Sequence, residues 1–209
     1  MSDCGCHVEH VEIGQRRILW TALGLNAAMF VIEGVVGWKA ESTGLLADAL
    51  DMLSDAGAYG VALFAIGRSG LFKARAAAVN GSLILILGIG VIAEVARRAM
   101  YGSDPQSLWM VAVSSLALAV NVYVLYLLRP MRNGEVHLRA TWICTRADVV
   151  ANAGVIVSGA LVALTGIRYF DLIVGTAIGL YVIKEAFEIL REAREASRQS
   201  ALGASAVGK

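Results

Sequence analysis

The amino-acid sequence predicts an all-α integral membrane protein of six transmembrane helices. Three observations carry that reading. Hydrophobic residues make up 57% of the 209-residue chain and charged residues only 17%, too few to solvate the surface of a water-exposed domain. Mean hydropathy is +0.66. The apolar residues fall into six runs, each close to the roughly 20 residues that a helix needs to cross a hydrocarbon core. Helices are required there, because an open backbone in lipid cannot satisfy its hydrogen bonds.

The runs follow one another with little between them. The first covers 18–38 and is preceded by Arg16 and Arg17; the second, 44–67, carries three aspartates inside it. The third, 76–96, stops at Arg97 and Arg98, just after Glu94. The fourth, fifth and sixth cover 108–128, 138–165 and 172–190. Proline is scarce, which suits uninterrupted helices, and many glycines lie inside the runs, as where helices approach closely in lipid. Gly175-x-x-x-Gly179 in the sixth run is such a place, within one protomer or between two.

Arginine and lysine set the orientation. Arg16 and Arg17, then Arg68, Lys73 and Arg75, then Arg129, Arg132 and Arg139, then Arg191, Arg194 and Arg198 fall on one side. The other side has Lys39, Arg168 and the Arg97/Arg98 pair. Both termini are therefore expected in the cytoplasm, with 1–15 an amino-terminal tail, 16–190 the membrane domain and 191–209 a short tail, amphipathic and helical after Leu190 and giving way to a small-residue segment from Ser200. No signal peptide is expected, since the first stretch is polar, and a prokaryotic inner membrane is the expected location. Three spread cysteines make no disulfide framework. A formal net charge of +1 points to no nucleic-acid partner.

The chemistry lies in the second and fifth runs. Asp48, Asp51 and Asp55 are spaced by three and four, which puts them on one helical face. A carboxylate at membrane depth costs several kcal/mol, roughly 3 kcal/mol on insertion scales, and marks a functional site by default. The fifth run offers Cys144 and Asp148, four apart and again on one face. Asp51 and Asp55 facing Cys144 and Asp148 would give four ligands in a compact tetrahedral set. Oxygen and thiolate together suit zinc, or the softer cadmium, better than magnesium or calcium. The plainer readings are acids paired with Arg146, which lies inside the fifth run, and a cysteine that only fills space. Asp48 is expected to support the ligands or relay protons at the cytoplasmic or midplane entrance. Near the amino terminus, Cys4, Cys6, His7 and His10 could close around a soft ion as an accessory site, or belong to an incidental tail. His137 reads as a solvated loop residue.

The stretch Leu46-Ala47-Asp48-Ala49-Leu50-Asp51-Met52-Leu53-Ser54-Asp55 resembles the second-helix signature of the cation diffusion facilitator family, and Arg139-Ala140-Thr141-Trp142-Ile143-Cys144-Thr145-Arg146-Ala147-Asp148 resembles the fifth. Asn26 and Glu33 in the first run, Glu94 with Arg97/Arg98 and Asp171 also match, so the resemblance covers nearly the whole chain. It implies that family's six-helix bundle, a homodimer and proton-coupled efflux of a divalent metal; the ligand set makes Zn2+, and also Cd2+, the expected cargo, with no resident cofactor and no enzymatic reaction expected. Cys144 stands where the family usually has His or Asp. The family's usual cytoplasmic domain after the sixth helix is expected to be missing.

The ligand chemistry also favours exchange. Three acids and a thiol cannot all stay ionised in a low-dielectric site without metal, so metal entry displaces protons. Manganese, iron(II) or cobalt transport is the alternative within the family, because the Asp-x-x-x-Asp pair is hard enough to admit them. A non-transporting membrane sensor using the amino-terminal cluster is a further alternative, although an anchor needs no acids inside its spans. An intramembrane enzyme has no supporting motif.

Overall fold

The computed structural model describes residues 4–64, 70–129 and 136–207. Its helices are α1 (Cys4–Lys39), α2 (Thr43–Phe64), α3 (Gly70–Tyr101), α4 (Ser107–Leu128), α5 (Val136–Thr165) and α6 (Tyr169–Val207), and no strand occurs among the described residues. The six apolar runs each lie within one helix, apart from the end of the second, which runs into residues outside the description. The helices outlast the runs: α1 begins at Cys4, in the stretch read as a tail, and α6 continues to Val207.

Among the described residues, four segments are long and apolar enough to cross a membrane by length and composition alone: Arg16–Lys39, Ala74–Tyr101, Ser107–Leu128 and Asp148–Thr165. α2 and α6 fall short because of their ionisable residues, Asp48, Asp51 and Asp55 in one and Asp171, Lys184, Glu185 and Glu188 in the other. Position in the bundle explains how α2 can carry acids. Among the described residues, α1, α4, α5, α6 and α3 make an open horseshoe in that order, and α2 stands inside it, touching all five. From Thr43 to Tyr59 only Ala58 is exposed. The apolar surplus lies outside instead, with Trp20, Val35 and Trp38 on α1, Val79 and Ile86 on α3 and Tyr126 on α4 all exposed, as a lipid-facing surface requires.

The connections α1–α2, α3–α4 and α5–α6 meet at one end, hereafter the loop end. The Gln106 N–H donates to the Ala40 carbonyl at 2.9 Å, and the Asp104 N–H to Glu41 Oε2 at 2.9 Å. Arg168 reaches the Ala99 carbonyl at 3.4 Å. Asp171, which opens α6, caps α2: its carboxylate accepts from Ser42 Oγ at 2.7 Å, from the Thr43 N–H at 2.6 Å, from Thr43 Oγ1 at 2.8 Å and from the Gly44 N–H at 3.0 Å. Ser42 Oγ itself accepts from the Leu45 N–H at 3.1 Å. The first free N–H groups of α2 are thereby satisfied, two of them by a negative charge at the positive end of the helix dipole.

Gly175 and Gly179 work within this one chain. A Cβ on Gly175 would stand 2.6 Å from Thr43 Oγ1 of α2, and one on Gly179 would stand 3.0 Å from Ile92 of α3. α6 therefore presses α2 with one glycine and α3 with the other. The Arg97/Arg98 pair, on the side that carries less positive charge, is held by Glu94, which accepts from both arginines at 2.7 Å. Arg98 is buried.

Candidate metal centre

The aspartates of α2 form a stripe because offsets of three and four return to one helical face. Asp48, Asp51 and Asp55 are all buried, as is Asp148 of α5. The Asp148 carboxyl lies against the carboxyls of both Asp51 and Asp55, so the structure brings together three of the four expected ligands. Oδ2 of Asp51 and Oδ2 of Asp148 have no hydrogen-bond partner. Among the described residues no basic side chain forms an ion pair with this group. Nor, among them, do three His, Cys, Asp or Glu side chains meet the spacing of a formed metal cage. The fourth expected ligand, Cys144, belongs to α5 one turn before Asp148, and its side chain lies outside the described residues. The side chains of Arg146, His137, Cys4, Cys6, His7 and His10 also lie outside them.

Four residues that sequence reasoning did not single out complete the surroundings. Tyr59 donates its hydroxyl to Asp55 Oδ2 at 3.3 Å, and the same oxygen lies 3.3 Å from Thr145 Oγ1, so one phenol links α2 to α5. Asn152 donates to the Asp148 carbonyl at 2.8 Å and to Asp48 Oδ1 at 3.2 Å, a second α5–α2 link on the loop side of the first. Glu185 of α6 faces the field of Asp51 and of Asp55. Tyr59 and Asn152 each follow a site aspartate by four residues, so the stripe was extendable from spacing alone. Glu185 had its own signal as an acid inside the sixth apolar run. Thr145 had none.

Asp48 does not join the three carboxyls directly. It stands nearer the loop end than Asp51, beside Glu33 of α1. Converging buried carboxylates without a counter-charge suit a cationic guest, since an uncompensated buried charge is costly. Oxygen ligands in this number fit a divalent metal, and a thiolate at position 144 would add affinity for a softer ion.

Residues 19–196 match the family described as the cation efflux transmembrane domain. Similar curated proteins include the metal cation efflux system protein CzcD of Cupriavidus metallidurans, 26% identical over 190 residues, or 85% of this chain and 60% of CzcD. The zinc transporter ZitB of Escherichia coli is also 26% identical over 190 residues, with 85% of this chain and 60% of ZitB covered. The cadmium, cobalt and zinc/H(+)-K(+) antiporter of Bacillus velezensis is 22% identical over 205 residues, covering 90% of this chain and 64% of the antiporter. The chain thus spans 60–64% of the length of these relatives.

Proposed function

The chain belongs to the cation efflux family, and from that membership we propose that it exports divalent metal ions across a cytoplasmic membrane in exchange for protons, carrying Zn2+ and also Cd2+. The observation that supports this most is the meeting of Asp148 with Asp51 and Asp55 in the buried middle of the bundle. The relatives' names, which speak of zinc, cadmium and cobalt, support the same ions.

Asp51, Asp55, Asp148 and Cys144 bind the ion in this reading. Tyr59 holds Asp55 toward α5 and Asn152 fixes the spacing of α2 and α5 on the loop side. Metal takes deprotonated ligands, so loading releases protons and unloading takes them up. With both termini in the cytoplasm, ions enter from the end opposite the loops, past Glu185, and leave toward the loop end. Asp48, expected from sequence at the entrance, then stands on the exit side. Rocking of helices about a midplane site gives alternating access. The same reading has the protein assemble as a homodimer.

A second choice of cargo has one observation behind it: the ligands described are all carboxylates, a set that also suits Mn2+ or Co2+. Cys144 decides between the two. The test uses purified protein in liposomes that enclose a pH-reporting dye, with Zn2+, Cd2+, Mn2+ or Co2+ added outside in turn. The lumen is expected to turn alkaline with Zn2+ and Cd2+, and the Asp148→Ala protein to give no response while remaining folded. Response to Mn2+ alone would overturn the metal assignment. Metal uptake without a pH change would remove proton exchange, and silence from folded protein with every ion would remove transport.

A further inference from the structure

Glu33 of α1 and Asp48 of α2 are fully buried and adjoin one another. Both Glu33 oxygens and Oδ2 of Asp48 lack a hydrogen-bond partner. Asn152 of α5 stands beside them: its amide N–H donates to Asp48 Oδ1, and its own Oδ1, also fully buried, is unpartnered. Two carboxyls therefore meet in one enclosed place beside an amide whose carbonyl oxygen is unpartnered, and among the described residues no lysine, arginine or histidine pairs with them. Three helices supply one residue each, so the group closes a gap between elements and does not follow from spacing on one of them.

Size and chemistry limit what fits. The donors are all oxygen, two of them acidic, which favours a hard divalent cation over a soft one. Asp48 lies three residues from Asp51, about 4.5 Å along the helix axis, so an ion can pass between the two groups without crossing an apolar stretch. We propose that Glu33, Asp48 and Asn152 form a second, oxygen-only divalent-cation site between the three-carboxyl centre and the loop end. Its three protein donors hold an ion in transit, with water completing the coordination.

The test is a Mn2+ titration of the full chain in detergent, with free Mn2+ counted by its electron paramagnetic resonance signal, so that no transport is required. In a protein carrying Asp51→Asn and Asp148→Asn, one equivalent of Mn2+ is expected to remain bound. Adding Glu33→Gln or Asp48→Asn is expected to weaken that binding at least tenfold. If the double variant is not monodisperse, the same site is read in the otherwise wild-type chain as one equivalent lost on Glu33→Gln. Mn2+ binding unchanged by Glu33→Gln, or absent once Asp51 and Asp148 are replaced, would overturn the site and leave the two carboxyls sharing a proton. Neither result touches the liposome assay, so failure here and failure of the transport reading are separable.

Discussion

Tyr59 joins two helices at the three-carboxyl site through a single hydroxyl oxygen, placed between Asp55 and Thr145. Such contacts explain which residues were legible in the sequence. Asp51, Asp55 and Asp148 were, because an acid inside an apolar run is costly and its neighbours on the same face can be counted. Tyr59 and Asn152 could be placed on those faces by spacing but given no role, and Thr145 had no signal, because an uncharged polar residue is common in membrane helices and the link it makes is to another helix. The remaining question at this scale is whether Cys144 touches the ion. Thiolate and carboxylate differ in softness, so Cys144→Asp is expected to raise the Mn2+ response relative to Cd2+ by tenfold or more in the liposome assay. An unchanged preference would show that the sulfur does not touch the ion.

The helices were found by hydropathy, and their ends were not. A hydropathy window senses the part of a helix that matches the lipid, roughly 30 Å, whereas the 36 residues of α1 extend about 54 Å. The polar continuation of α1 before Arg16 therefore lay beyond what the apolar pattern could report, whereas that of α6 after Leu190 was expected from its amphipathic pattern, though not its reach past Ser200 to Val207. Asp171 was legible as a family match, but not as the cap of α2, since the partner groups lie 127 to 129 residues away in the chain. Its charge and hydrogen bonds give the α2–α6 contact a definite energy. Asp171→Asn is expected to destabilise the protein by about 2 kcal/mol, from weaker charge-assisted bonds and a lost dipole interaction. Thermal unfolding in detergent measures it, and an unaltered midpoint would show that Ser42, Thr43 and Gly44 hold α2 without the charge.

At the scale of the whole molecule, the arrangement of loops agrees with an even number of spans, and the basic residues predict which end is cytoplasmic. A membrane-impermeant maleimide applied to intact cells is expected to label Glu41→Cys and to spare Arg198→Cys, both in a background without the native cysteines. The opposite pattern would invert the protein and reverse the direction of export. Fold class and family were legible because composition and two paired motifs suffice for them. The enclosure of α2 by five neighbours was not, since hydropathy gives the number of spans and says nothing of their order around a centre. One feature of that order has a mechanical side. Asp171 fastens α6 to α2 at the loop end with a cluster of short polar bonds, whereas toward the other end Glu185 of α6 faces the Asp51 and Asp55 carboxyls of α2, a meeting of like charges. Two rods tied at one end behave as tongs. The jaws lie on the side of Glu185, and a small splay there uncovers Asp55 well before it loosens the grip near Asp48.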